Sequence, residues 1–449
     1  MSNLPIEQIE ENFADLYPAM TDSEAAIEAN RCLFCFDAPC MHACPTHIDI
    51  PGFIKKIANE NLTGSARVIF DANPVGATCA RVCPVEVLCE GACVEKTLVN
   101  KPIEIGRLQR YATDHALSNG IRIFKKGESN GRTIGIIGSG PAGLSCATYL
   151  ARLGYSVTIY DRREKPGGLD TYGMAEYKMT QAVSLAEIEP VADLGVEFRQ
   201  NVEIGRDIQF GELETAHDAL FLAVGLGATN KLNIPGEALD GVIDALDLID
   251  QIKTRDWKGI TIGDSVIVLG AGNTAIDAAT QSKRLGAKRV RLVYRRTEME
   301  APAYDYEMEL AHKDEVEFVW QTTPLAILGD ESVRGIRVLD AAGSERDIEC
   351  DMVIKAIGQT KLVNFFTEIA GVKTDEIGRP VVNASMQTSK PGIFAGGDCV
   401  NGGGEAVEAA QMGKLAAIGI HETLTGEKVE FAGAFLRDPP KAPVDPNPR

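Results

Sequence analysis

The chain has 449 residues, of which 45% are hydrophobic and 24% charged, an ordinary balance for soluble globular proteins and enough length for about two to four domains. Its formal net charge of −19 argues against nucleic acid and anionic membrane surfaces as partners. No apolar run approaches the ~20 residues that span a bilayer, and the acidic start from Met1 to Asp15 lacks the apolar core of an export signal, so the cytoplasm is the expected compartment.

Residues 1–130 read as a helical, loop-rich unit. A helix-forming run from Ser23 to Ala29 leads into the first cysteines, and an amphipathic helix from Ile103 to Leu117 follows the last. Eight of the 11 cysteines fall in two clusters, Cys32-x2-Cys35-x4-Cys40-x3-Cys44-Pro45 and Cys79-x3-Cys83-Pro84-x4-Cys89-x3-Cys93. In a reducing compartment such clusters point to metal or redox chemistry rather than to disulfides. Short spacings closed by Cys-Pro are the ligand pattern of [4Fe–4S] sites, and eight thiolates serve two clusters. The cysteine before the proline often serves the other cluster, which would send Cys44 across. Cys-x2-Cys is also a zinc-knuckle spacing, so two all-thiolate zinc sites are the alternative. His42 and His47 stand at no metal-ligand spacing. Cys146, Cys350 and Cys399 read as small packing residues.

After a polar linker from Lys125 to Gly131 the pattern changes. Residues 131–250 open with a strand (Thr133–Ile137), a helix (Ala142–Leu153) and a second strand (Ser156–Tyr160). The turn between the first two reads Gly138-Ser139-Gly140-Pro141-Ala142-Gly143, a dinucleotide fingerprint that brings a pyrophosphate against backbone N–H groups at a helix N-terminus. Asp161 ends the next strand, where a carboxylate can bind a ribose hydroxyl. Residues 251–380 repeat the unit, with strand Ser265–Leu269, helix Thr274–Leu285 and strand Val290–Tyr294 around Gly270-Ala271-Gly272-Asn273-Thr274-Ala275. Here the second strand ends in Arg295 and Arg296, which suit a ribose 2′-phosphate and favour NADPH over NADH. The alternative for these arginines is a solvated face or an ion pair with Glu298 or Glu300. Residues 381–430 return to the first unit with Ile393-Phe394-Ala395-Gly396-Gly397-Asp398, whose aspartate can bond a flavin's ribityl chain, and a helix-like run from Ala406 to Leu415. Residues 431–449 turn to proline and charge, as flexible tails do. The expected fold is α/β: an N-terminal helical [4Fe–4S] domain followed by two interleaved Rossmann-like dinucleotide-binding domains.

The first fingerprint, the run Asp218 to Thr229 and the closing Gly396-Gly397-Asp398 resemble two-dinucleotide-binding-domain flavoproteins. With the cysteine-rich front, residues 20–425 are similar to the glutamate synthase small subunit and to the N-terminal half of dihydropyrimidine dehydrogenase, nearer the bacterial pyrimidine-reducing subunit. The segment Gly167-Gly168-Leu169 to Met179 resembles the family's stretch beside the flavin. The resemblance implies FAD at the first site, NADPH at the second with NADH as the alternative, and two [4Fe–4S] clusters. It implies one cluster on Cys32, Cys35, Cys40 and Cys93, and another on Cys44, Cys83, Cys89 and the side-chain oxygen of Gln109, with Cys79 left out. Spacing alone would include Cys79.

The implied activity is electron input: NAD(P)H oxidised through FAD, with electrons leaving singly through the clusters. No FMN barrel, pyrimidine-reducing cysteine loop or glutaminase domain is recognisable, so the expected partner is a catalytic chain, first an FMN-containing dihydropyrimidine dehydrogenase. A glutamate synthase small subunit is the alternative. A non-catalytic zinc-binding assembly factor is the alternative of another class. A thioredoxin-reductase-like dithiol reaction needs a Cys-x-x-Cys beside the flavin, and none lies between Gly138 and Gly413.

Overall fold

The computed structural model describes residues 4–432. Among these, the strands in chain order are β1 (Thr133–Ile137), β2 (Ser156–Tyr160), β3 (Glu197–Arg199), β4 (Ala219–Leu222), β5 (Val242–Asp244), β6 (Ser265–Leu269), β7 (Arg289–Val293), β8 (Glu317–Val319), β9 (Thr323–Gly329), β10 (Val333–Leu339), β11 (Glu345–Glu349), β12 (Met352–Lys355) and β13 (Ile393–Ala395). They form a five-stranded sheet in the order β13-β4-β1-β2-β3, a second in the order β5-β12-β6-β7-β8, and a three-stranded antiparallel sheet β11-β10-β9. Both larger sheets are parallel, with Ile136 opposite Ile159 in the first and Ile267 opposite Arg291 in the second. Parallel strands are covered on both faces by crossover helices, which is why β1 and β6 read as unbroken apolar runs rather than alternating ones. Ile134, Ile136, Val266, Ile267 and Val268 are all fully buried.

The first sheet takes β13 from far along the chain, after the whole of the second sheet. The second takes its edge strand from Val242–Asp244, ahead of residue 251. The helix expected over 406–415 runs on to Thr425, because its alanine-rich surface stays buried well past Leu415. It packs against the helix Pro141–Arg152 beneath the first fingerprint, where Ser145 Oγ donates to the Ala410 carbonyl at 2.7 Å.

Ahead of β1 the described chain is helical. The helix Asp22–Asn30 starts in a capping box of Thr21 and Glu24. The helix Ile105–Ser118 buries Leu108, Gln109, Ala112, Thr113 and Ala116 along one stripe. One piece of this unit departs from it. The helix Ile6–Asn12 leads to Phe13, which stacks on Trp257 at 4.9 Å between ring centroids, and Asn12 donates to the Arg284 carbonyl at 2.8 Å. Ile9 and Phe13 thus complete the core of the second parallel sheet.

The tail expected over 431–449 lies outside the described residues from 433 onward. Its first two residues are docked: Phe431 packs on Tyr149 with ring centroids 4.5 Å apart, and the Ala432 carbonyl accepts from Lys414 Nζ at 3.0 Å.

Candidate functional site

A cleft of about 620 Å³ opens at the carboxyl ends of β1, β2 and β4, the usual ligand position on an open parallel sheet. Gly138, Gly140, Ala142, Asp161, Gly168, Leu169, Gly397 and Asp398 all line it. Gly138 has φ of +104°, and a Cβ there would run into the Ala223 carbonyl oxygen. A Cβ at Gly143 would strike the Gly138 carbonyl, so this glycine sets the close approach of helix to strand. At Gly140 a Cβ would meet nothing within 4 Å. The turn therefore presents bare backbone and the N-terminus of the helix Pro141–Arg152 to open space, which fits a pyrophosphate.

Asp161 does something the sequence did not suggest. Its Oδ2 accepts from the Ser139 backbone N–H at 2.8 Å and from Ser139 Oγ at 2.5 Å, and its Oδ1 accepts from the Arg163 N–H at 2.8 Å. The carboxylate braces the glycine turn from below. Asp398 accepts from the Gly404 N–H at 3.2 Å, and burial pushes its carboxyl up to about 6.

The second fingerprint repeats the geometry. Gly270 has φ of +129° against the Ala356 carbonyl, and Gly272 precedes the helix Asn273–Arg284 with only Pro302 near its missing Cβ, at 3.8 Å. Asn273 Oδ1 accepts from the Tyr304 N–H at 3.1 Å, while Thr274 is exposed. Arg295 and Arg296 are exposed just past β7, and among the described residues neither guanidinium forms an ion pair. The Glu300 carboxylate accepts instead from the Thr297 N–H and Oγ. One of the links between the two dinucleotide units is Tyr304, whose hydroxyl donates to Glu405 at 2.8 Å.

The cysteines gather in two places. Cys32, Cys35, Cys40 and Cys93 line one small pocket together with Ile50, Ile54, Ile103 and Ile105. Burial first, then the neighbouring Cys93 and Cys32, push the Cys40 thiol up to about 12. Thiolates sharing an apolar pocket would need positive charge among them, which iron would supply. In the second place Cys83 hydrogen-bonds with Cys79, and Cys44 acts electrostatically on both Cys83 and Cys89. Gln109 is buried beside this group; its Nε2 donates to the Gly76 carbonyl at 2.7 Å, at the start of the helix Gly76–Val82 that leads into Cys83. That bond occupies the donor end of the amide, whose oxygen is the one atom of the side chain able to act as a metal ligand. Among the described residues no three His, Cys, Asp or Glu side chains converge as a single metal ion would require.

The chain matches the pyridine nucleotide-disulphide oxidoreductase family over residues 132–413. The chain belongs to that family. Residues 9–121 match the dihydropyrimidine dehydrogenase domain II, 4Fe-4S cluster family, so the helical front is an iron–sulfur domain and the protein an oxidoreductase. It is 35% identical over 420 residues to the NAD-dependent dihydropyrimidine dehydrogenase subunit PreT of Escherichia coli (strain K12), covering 93% of this chain and 98% of that one. It is 36% identical over 452 residues to the glutamate synthase [NADPH] small chain of the same organism, covering 93% and 94%. Among solved structures, T. acidophilum thioredoxin reductase shares the fold, with a TM-score of 0.54 at 23% identity over 65% of this chain and 98% of that one. The resemblance read from the cysteine spacings and fingerprints is thus the family found, and so is the α/β fold class with its parallel-sheet dinucleotide units.

Several residues of the site escaped the sequence. Glu187 is buried and accepts from the Ala77 N–H at 2.5 Å and the Thr78 N–H at 3.0 Å, capping the helix that leads into Cys83 from within the first dinucleotide unit. Lys414 is fully buried, and its Nζ donates to the Thr46 carbonyl at 3.1 Å, two residues past Cys44. Asp170 borders the cleft with its carboxylate buried, and among the described residues neither carboxylate oxygen has a hydrogen-bond partner. A charged residue inside a helix of small apolar neighbours, as at Lys414, was the one available signal.

Proposed function

We propose that this chain is the electron-input subunit of a two-chain reductase, in which NAD(P)H bound at the second parallel sheet reduces FAD held at the first. Electrons then pass singly through two [4Fe–4S] clusters to a catalytic partner, an FMN-containing dihydropyrimidine dehydrogenase chain that reduces uracil or thymine. The observation that carries the reading is the grouping of the thiols. Cys32, Cys35, Cys40 and Cys93 share one pocket, and Cys44, Cys83 and Cys89 share a second region, ahead of two dinucleotide sheets in one chain. That is the division of ligands that the family resemblance implies, with Gln109 completing the second set and Cys79 hydrogen-bonded to Cys83 from outside it.

In this reading residues 1–130 hold the clusters, 131–250 with 381–430 hold FAD, and 251–380 hold the nicotinamide nucleotide. FAD supplies the one step no side chain can, taking an electron pair as hydride and releasing it one electron at a time. The chain's own residues position and tune. Gly138 to Gly143 would hold the pyrophosphate on their N–H groups, Asp161 fixes that turn, and Gly168, Leu169, Gly397 and Asp398, which line the same cleft, would hold the rest of the flavin, Asp398 at the ribityl chain. Gly270, Gly272, Asn273 and Thr274 hold the nucleotide's pyrophosphate, while Arg295 and Arg296 read its 2′-phosphate. No side-chain nucleophile is required.

The catalytic partner is supported by the relatives, which are themselves a dehydrogenase subunit and a synthase small chain. The second of these gives the competing reading, a glutamate synthase small chain, at nearly the same identity. Purified chain mixed with each candidate catalytic subunit and NADPH separates them: dihydrouracil formation is expected, and glutamate formation would select the competitor.

A further inference from the structure

Lys414 is fully buried and lies outside the cleft of the first dinucleotide unit. It stands in the helix Ala406–Thr425, next to Gly413, where a Cβ would strike the Ala142 carbonyl, so this turn is pressed against the fingerprint helix. Its side chain reaches the iron–sulfur unit. Nζ donates to the Thr46 carbonyl at 3.1 Å and to the Ala432 carbonyl at 3.0 Å, and lies 5.8 Å from the centre of the Tyr149 ring. Two carbonyls and an aromatic ring are surroundings that suit a cation. Thr46 also meets the cysteine before Pro45: its Oγ1 lies 3.4 Å from Cys44 Sγ. One residue therefore touches both the ammonium and the thiol.

A buried ammonium also needs an anion near it. Among the described residues Lys414 makes no ion pair. Asp71 acts on it, but that carboxylate is bonded to Arg152 at 2.6 Å, and Arg152 acts on Lys414 in the opposite sense. Burial pushes the ammonium down to about 7, and the first influence that pulls it back up is Cys44. Cys44 in turn acts on Cys83 and Cys89, the other thiols of its region. Held as thiolates on iron, these three sulfurs would supply the anion that the lysine lacks. A cation fixed beside such ligands stabilises the state that carries one more electron.

We propose that Lys414 is a positioning residue that raises the reduction potential of the second cluster, its ammonium held by the Thr46 carbonyl as the fixed counter-charge of Cys44, Cys83 and Cys89. The proposal rests on the reading of these thiols with Gln109 as one ligand set. One electron leaves the reduced flavin and one arrives at the iron, so the thiolate side gains one negative charge. Lys414 favours that state over the one before it, and itself neither gains nor loses a proton. The flavin unit, through its own helix, thereby sets how readily the neighbouring unit accepts the electron.

Anaerobic redox titration of the flavin- and cluster-loaded chain, followed by EPR, tests this. Lys414→Gln keeps a donor for the Thr46 carbonyl and removes the charge. The reduced-to-oxidised ratio of one cluster should fall about tenfold at a given applied potential, which is 59 mV for a one-electron couple. The signal that moves should be the one that Gln109→Ala alters, while the other cluster and the flavin keep their midpoints. Lys414→Arg keeps the charge and should keep every midpoint near that of the wild type. Midpoints unmoved in Lys414→Gln, a shift confined to the other cluster, or an equal shift in Lys414→Arg overturns the proposal. If Lys414→Gln does not fold or does not hold its clusters, Lys414→Arg decides: both clusters at wild-type midpoints support the charge, and their loss or displacement refutes it. A wild type that holds flavin but not two clusters overturns the reading of the cysteines, and the proposal with it.

Discussion

Replacing Asp161 with alanine separates two roles for the carboxylate at the end of β2. Ser139 is fully buried, and Asp161 is the acceptor for both its backbone N–H and its hydroxyl. Alanine removes the acceptor of both donors of a residue that is itself fully buried. Each stranded donor costs about 1–3 kcal/mol, so the apo-protein should lose roughly 2–6 kcal/mol of stability, a large share of the ~5–15 kcal/mol that folded proteins possess. The Arg163 N–H, half-buried, finds water and adds little. Flavin should also be lost, because an unbraced turn no longer presents its N–H groups in fixed directions. Urea denaturation of the flavin-free chain and the flavin-to-protein ratio after desalting measure the two effects. Weakened flavin retention with unchanged apo-protein stability would refute the brace and return Asp161 to a ribose-binding role alone.

Three further tests bear on other parts of the account. Neutralising Arg295 and Arg296 should raise KM for NADPH by about tenfold or more, since a hydrogen bond to a charged group contributes about 1.5–3 kcal/mol, and should leave KM for NADH nearly unchanged; equal effects on both nucleotides would refute the phosphate assignment. Gln109→Ala should alter the EPR signal of one cluster at intact flavin content, whereas an unchanged spectrum with normal iron would remove Gln109 from the ligands. Burial raises the Glu187 carboxyl from 4.5 to about 7, so its protonated form favours the folded state. Its contribution is full below pH ~4.5 and is lost as pH rises toward ~7, by roughly 3 kcal/mol; urea midpoints at pH 5 and pH 8 should therefore differ more in the wild type than in Glu187→Gln, and parallel pH profiles would contradict the assignment.

What the sequence disclosed was local. The cysteine spacings, the two glycine turns and the strand–helix–strand runs around them each span fewer than about forty residues, the scale on which hydrophobic period and turn chemistry act. Gly138 and Gly270 could be read because only glycine tolerates a positive φ against a carbonyl, as the Ala223 and Ala356 oxygens here require. The rest is long-range. Nothing near Phe13 announces that it stacks on Trp257, and nothing near Glu187 announces the N–H groups of Ala77 and Thr78. The antiparallel sheet β9–β11 went unread among short polar-edged strands. Arg295 and Arg296 were readable as candidates, but whether Glu298 or Glu300 would neutralise them depended on a capping box that only the folded turn reveals.

The central claim is that electrons leave a flavin through inorganic clusters held by the N-terminal thiolates. Anaerobic purification followed by absorption spectroscopy and by iron, acid-labile sulfide and zinc analysis tests it most directly. The account predicts bound flavin together with about eight iron and eight sulfide per chain, as two [4Fe–4S] clusters require, and no stoichiometric zinc. Flavin without acid-labile sulfide, even after reconstitution with iron and sulfide, would contradict it.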